Sequence, residues 1–281
     1  MEERVITGEA IRQFGRYLSE REYAQGSIEK YIRDLCAFQK WAEAGAPEDK
    51  APQQWKDHLR KTGYQPETVN AMLSSLNCFF KFMGWDECRM KYFKIQRRLF
   101  RSTEKELTKA EYFRLLETAE REKKHRLALL METICATGIR VSEVRYITVE
   151  ALQEGRVNIT LKGKIRTLLL PGKLCRKLYK YAQKQKIASG EIFLTRNGRG
   201  LSRRQIWAEM KSLCEKAEIA PSKVFPHNLR HLFARTFYTA CRDMAKLADI
   251  LGHSSMETTR IYLLSTGAEH TRQMERLGLI S

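Results

Sequence analysis

The chain has 281 residues, 43% hydrophobic and 30% charged, with a formal net charge of +18 and a pI near 9.7. That length suits two domains of ordinary size better than one core, and the balance of residues excludes a disordered or fibrous protein. No run approaches the roughly 18 consecutive apolar residues of a membrane span, and the charged start (Glu2, Glu3, Arg4) lacks a signal peptide's apolar segment, so a cytoplasmic protein with a polyanionic partner and no membrane is expected.

The surplus is uneven. Residues 1–100 hold 17 Lys/Arg and 14 Asp/Glu, whereas residues 101–281 hold 34 and 19. If the polyanion is DNA, the C-terminal part neutralises most of the phosphates.

The first hundred residues read as helices alone. Ile11, Phe14 and Leu18 form one apolar stripe, and Ser27 is expected to cap a second helix carrying Ile28, Ile32, Leu35 and Phe38. A short third helix opens at Pro52, carries Trp55 and Leu59, and stops at Gly63. A fourth runs from about Glu67 through Val69, Met72, Leu76, Phe79, Phe80 and Met83 to Gly84. Four amphipathic helices make a small bundle, assigned to residues 1–88. Residues 89–106 break the pattern and read as a basic linker, whose Lys91, Lys94, Arg97, Arg98 and Arg101 could lie along a nucleic-acid backbone.

The second domain, residues 107–281, opens with a capping box, Thr108 and Glu111, ahead of Tyr112, Leu115 and Leu116. A helix over Leu127–Cys135 ends near Gly138. The period then changes from helical to alternating, and RVNITL and IRTLLLP read as a hairpin separated by Lys162, Gly163 and Lys164. Helices are expected again at Lys173–Lys186 and Ser202–Ala217, and nearly continuously from His227 to about Arg276. The fold class is mainly α (α+β): a helical bundle followed by a mostly helical domain with one small antiparallel sheet. Seven cysteines, an odd number without metal-ligand spacing, read as reduced, buried thiols.

Four segments of the second domain stand out together: ATGIRVSEV with Arg140, TLKGKIR with Lys162, PHNLRHLFART with His227 and Arg230, and ILGHSSMETTRIYL with His253 and Tyr262. In this order they resemble the active-site boxes of the tyrosine recombinase, or phage integrase, family, which includes the Xer-like resolving enzymes. The likeness covers the whole chain in layout and residues 108–270 in motif.

The chemistry is coherent on its own terms. Cutting a phosphodiester without a metal requires cations and donors on the non-bridging oxygens of a highly charged phosphorane. Arg140 and Arg230 suit that task, because a guanidinium is always charged and grips phosphate with two parallel hydrogen bonds. His227 and His253 can donate hydrogen bonds or shuttle protons near neutral pH. A hairpin lysine can protonate the leaving 5′-oxygen. Aligning on the lysine-glycine pair selects Lys162, and aligning on the last strand selects Lys164. Tyr262 would be the nucleophile and would store the bond energy as a covalent phosphotyrosine.

His227 and His231 lie four apart, as metal ligands do, but Asn228 stands where an HExxH site has its glutamate, so no metal is expected. His231 is left outside the catalytic set. Lys164, Arg166, Arg97 and Arg98 are taken as DNA-binding residues.

The resemblance implies more. Glu143 would brace the pocket, and the N-terminal bundle would be a core-binding, SAM-like domain closing a C-shaped clamp with the catalytic domain. No cofactor would be required. The substrate would be double-stranded DNA with inverted-repeat sites, recombined by a homotetramer through a Holliday junction, with accessory DNA-bending proteins possible. The apolar tail, Met274, Leu277, Leu279 and Ile280, would dock onto a neighbouring protomer or pack in cis. A monomeric type IB topoisomerase and a DNA-binding regulator that has lost catalysis are the alternatives.

Overall fold

The computed structural model describes residues 6–43, 51–95, 104–161, 164–253, 255–260, 262, 271 and 274–277. The chain divides into two compact units, Met1–Arg97 and Arg98–Ser281.

In the first unit, α1 (Gly8–Glu20), α2 (Gln25–Glu43), α3 (Ala51–Lys61) and α4 (Pro66–Phe82) follow in order. Thr7 caps α1, its hydroxyl accepting from the Ala10 N–H at 3.2 Å, and the Phe14 and Leu18 side chains are wholly buried. With Leu35, Trp55, Leu73, Leu76 and Phe79 they form one core, where each fully buried large side chain contributes about 1.5–3 kcal/mol. Ser27 does not cap α2. The helix starts two residues earlier, at Gln25, and the Ser27 N–H already bonds the Ala24 carbonyl at 2.7 Å.

The first described residues of the expected linker are tied to α4 of the first unit. Asn77 on α4 clasps Met90, donating to its carbonyl at 2.9 Å and accepting its N–H at 2.8 Å, and Asn70 does the same for Phe93 at 3.0 and 2.8 Å. Two side-chain amides thus act as a substitute strand, and Met90 is buried in the first core. Arg97, Arg98 and Arg101 lie outside the described residues.

The second unit begins with α5 (Lys109–Arg121), whose capping box joins Thr108 and Glu111 at 3.1 and 2.8 Å. The next helix, α6 (His125–Thr137), ends at Gly138, and a 3-10 helix (Val141–Tyr146) and α7 (Val149–Glu154) follow. The strands β1 (Arg156–Leu161) and β2 (Lys164–Leu169) pair antiparallel, with Arg156 opposite Leu169 and Leu161 opposite Lys164. Their inward residues Val157, Ile159 and Leu168 join the core, while Ile165, Thr167 and Leu169 face out.

The helices α8 (Gly172–Lys184), α9 (Arg203–Lys211), α10 (Pro226–Cys241), α11 (Met244–Leu251) and α12 (Met256–Arg260) complete the described α-helices. Two expectations are corrected here. Beyond Lys211 the chain continues in turns instead of helix as far as Ala217. The stretch after His227 is broken at Arg242 (φ 53°) and Gly252 (φ 62°), where left-handed residues end α10 and α11. The thiols also differ from expectation: Cys214 is buried, but Cys36 and Cys241 are exposed.

Candidate active site

The loop after α6 sets the first side chain. Gly138 adopts a left-handed conformation (φ 65°), and a Cβ there would come within 2.4 Å of the Phe233 ring, so only glycine permits this turn. The chain then re-enters a 3-10 helix at Arg140. Glu143, 1% exposed, accepts from the Arg140 N–H at 2.9 Å and from its Nη1 at 3.0 Å, which holds the residue by its main chain and its guanidinium. Arg140 Nη2 reaches the Gly252 carbonyl at 3.2 Å.

Arg230 rises from the buried face of α10 and is 2% exposed. Its Nη1 donates to the Gly138 carbonyl, and its Nη2 to the Leu251 carbonyl at 2.7 Å and to His253 Nε2 at 2.9 Å. Burial and then Arg140 pull its pKa down to about 10, while Tyr262 works in the opposite sense, so it remains a cation at neutral pH. The partners of Arg230 are carbonyls, an imidazole and a phenol. Among the described residues the one carboxylate in this cluster is Glu143, shared by Arg140 and Arg166.

His253 follows the left-handed Gly252. A guanidinium can only donate, so Nε2 is the acceptor and Nδ1 carries the proton toward Thr259 Oγ1, 2.9 Å away. Burial, then the positive charge of Arg230, Arg140 and Arg166, lowers the pKa of His253 to about 4. His227, in the first turn of α10, stands at the rim, exposed at one edge; partial desolvation, Arg230 and Arg140 lower its pKa too.

Tyr262 is 3% exposed. Its ring stacks on His253 (centroids 5.7 Å apart, planes 15° apart) and lies edge-on to His231 at 4.4 Å, with His227 at 6.2 Å. Ala234, Leu247 and Leu251 complete its surroundings.

Arg140, His227, Arg230, His253 and Tyr262 therefore come together from three separate stretches of the second unit. Lys162 lies outside the described residues, and Lys164 opens β2 opposite Leu161. Arg166, expected along the DNA, has both terminal nitrogens engaged within the protein: Nη2 on Glu143 at 2.6 Å and Nη1 on the Ile250 carbonyl at 2.9 Å.

Thr259 carried no expectation from the sequence, and His231 was read there as lying outside the catalytic set. Thr259, wholly buried, holds His253. Its signal was available, a hydroxyl residue between His253 and Tyr262. His231, left outside the set, packs against the ring of Tyr262; its only hint was a position four residues from His227, on the same face of α10.

Residues 105–269 match the Phage integrase family, and residues 11–87 match the N-terminal SAM-like domain of phage integrases. The chain belongs to the phage integrase family. It is a tyrosine-type, site-specific recombinase.

This integrase is 29% identical to tyrosine recombinase XerA of Pyrococcus furiosus, with all of this chain and 98% of that protein covered. It is 32% identical to tyrosine recombinase XerD of Brucella melitensis, covering 90% and 91%. Among solved structures, XerH bound to a palindromic difH substrate matches with a TM-score of 0.70 at 20% identity, over 92% of this integrase and 81% of that chain. A lambda integrase dimer bound to a core site also gives 0.70, at 16% identity over 91% and 94%. These two likenesses establish the fold. No helix among the described residues of this integrase is long and apolar enough to cross a membrane.

Proposed function

We propose that the chain cleaves and rejoins double-stranded DNA through a covalent 3′-phosphotyrosyl intermediate on Tyr262, exchanging strands between two duplexes by way of a Holliday junction. The observation that carries this reading is the charge balance of the pocket. Among the described residues one carboxylate, Glu143, lies in this cluster; it pairs with Arg166, which is engaged inside the protein, and leaves the guanidiniums of Arg140 and Arg230 in surplus beside the phenol. A cluster with that surplus, partly out of water, is complementary to an anion, and the buried phenol beside it is a nucleophile suited to phosphate.

In the proposed reaction Arg140 and Arg230 take the non-bridging oxygens and stabilise the charge that grows there as Tyr262 Oη attacks phosphorus. The bond from phosphorus to the 5′-oxygen breaks, and a hairpin lysine, Lys162 or its rival Lys164, gives that oxygen a proton. His253, neutral and held by Thr259, keeps Arg230 in place, while His227 at the rim takes the proton that the Tyr262 phenol gives up as it attacks. Attack by the 5′-hydroxyl of the partner strand reverses these steps, restores the phenol and needs no cofactor.

The helical unit, residues 1–88, is the DNA-grasping, SAM-like domain of this scheme, and residues 107–281 are catalytic. Arg97, Arg98, Lys164 and the hairpin contribute phosphate contacts. The printed titles of the XerH and lambda integrase structures describe DNA complexes, which supports a duplex with inverted repeats as substrate here. A homotetramer is the working assembly, and exposed Met274 and Leu277 belong to the tail that would pass between protomers. The protein would act in the cytoplasm, with DNA-bending partners assisting.

The test is a nicked suicide duplex captured from a pool of genomic fragments. The wild-type protein should form an adduct that survives denaturation, and Tyr262→Phe should form none while still shifting the same DNA. An adduct with Tyr262→Phe would overturn the assignment.

A further inference from the structure

The β1–β2 hairpin carries both lysines that compete for the role of general acid, and one residue in it is fastened to the pocket. Arg166 lies opposite Ile159 on the inner face of β2, two residues from Lys164 and four from Lys162. Its side chain is 16% exposed. Nη2 binds Glu143 at 2.6 Å, Nη1 binds the Ile250 carbonyl at the end of α11 at 2.9 Å, and Nε has no partner among the described residues.

The surroundings close a ring. Glu143 also holds Arg140, and Arg140 returns to the Gly252 carbonyl. Arg140 and Glu143, the hairpin, and the α11–His253 corner are three segments far apart in sequence, and Arg166 is the side chain that joins all three. Gly252 is shaped around it: a Cβ there would stand 2.4 Å from Arg166 Cδ and 2.7 Å from Nη1.

A lysine offers one point charge where this site uses a flat fork reaching two acceptors in different directions. A phosphate contact would leave the guanidinium facing solvent, whereas both terminal nitrogens here are engaged inside.

We infer that Arg166 is a positioning residue that holds the lysine hairpin in register with the cation pocket, so that the general acid and Arg140 meet the same phosphate. The inference rests on the recombinase reading above. Its consequence is specific: losing Arg166 should injure the step that needs the lysine's proton more than the binding of DNA.

The experiment compares wild type, Arg166→Gln and Arg166→Lys on the nicked duplex captured by the wild-type protein, made with an ordinary 5′-oxygen or a 5′-bridging sulfur at the cleaved bond. A thiolate departs without a proton. Arg166→Gln is expected to form adduct about a hundredfold more slowly on the oxygen duplex, the scale of a small misplacement of a reacting group. It should recover most of that loss on the sulfur duplex. Affinity and its dependence on salt should stay at wild-type values, and Arg166→Lys should fall between the two.

Equal losses on both duplexes would overturn the inference, as would a salt slope reduced by about one, the mark of a lost phosphate contact. If Arg166→Gln shows no cooperative thermal transition, the same comparison is read from Arg166→Lys, with rescue or its absence deciding in the same way. Failure of the wild-type protein to form any adduct would instead defeat the recombinase reading itself.

Discussion

His253 accepts a hydrogen bond from Arg230 through Nε2 at 2.9 Å and turns its Nδ1 proton to Thr259. That arrangement requires a neutral ring. Protonation would place a donor against a donor, and burial, followed by the positive charge of Arg230, Arg140 and Arg166, holds the pKa near 4.

A pH dependence follows from this pair. An unfolded imidazole titrates at about 6.5, so between that value and the folded value near 4 the unfolded chain binds the extra proton. Stability from this group is therefore present above the unfolded pKa and lost as pH falls through the folded one. The ring of His253 in the DNA-free protein should show no titration step between pH 5 and 8 by NMR, and urea midpoints should fall on acidification below about 6.5, less steeply in His253→Asn. A His253 midpoint at the ordinary imidazole value would contradict the tautomer assigned here.

Glu143 should matter for folding as well as chemistry. Burial raises its pKa, but the Arg140 N–H, Arg166 and the Arg140 side chain more than reverse that, so the carboxylate stays ionised. Glu143→Ala leaves the largely buried Arg166 guanidinium without its counter-charge and should cost about 3–5 kcal/mol, the usual loss when one partner of a buried pair is removed. Chemical denaturation measures it, and Glu143→Gln, which keeps the shape and one acceptor, should lose less. An unchanged midpoint in Glu143→Ala would show that the ring is not a stabilising unit.

Much of this arrangement was legible in the residues. The stripes Ile11–Phe14–Leu18 and Val69–Leu76–Phe80, the Thr108–Glu111 box and the alternating RVNITL each state their local structure without tertiary help. The boxes named Arg140, His227, Arg230, His253 and Tyr262 because their spacing is unusual. What was not legible depends on contacts distant in sequence. Arg166 looks like any basic residue on a hairpin until Glu143 and Ile250 are seen beside it. Likewise Met90 and Phe93 look like linker until Asn77 and Asn70 supply the hydrogen bonds of a missing strand. Ser27 misled because a good capping residue was preferred over the turn that actually starts α2, where the Ser27 N–H already bonds Ala24.

Metal removal gives another check. In the scheme proposed, Arg140 and Arg230 supply the charge stabilisation that a divalent ion supplies in many nucleases. Adduct formation on the suicide duplex should proceed at the same rate in excess chelator. Loss of the reaction, restored by added magnesium or zinc, would require a different chemistry for the pocket.

The last prediction concerns Gly252, which tests the ring from its other side. The residue has φ 62°, and an added Cβ would lie 2.4 Å from Arg166 Cδ. Gly252→Ala thus carries two penalties: about 1 kcal/mol for a side chain in the left-handed region, and displacement of a guanidinium that two hydrogen bonds hold in place. The displaced Arg166 would release Glu143 and Ile250, so the variant should lose adduct formation much as Arg166→Gln does and recover on the sulfur duplex in the same way. In the double variant, Gly252→Ala with Arg166→Gln, the methyl group no longer meets a tethered fork. The two losses should overlap, leaving the pair hardly worse than Arg166→Gln alone, the non-additivity expected of residues that act through one contact. Adduct rates for the four proteins of this cycle provide the measurement. Fully additive losses would mean that Gly252 serves the backbone turn before His253 alone, and that its closeness to Arg166 has no part in aligning the site.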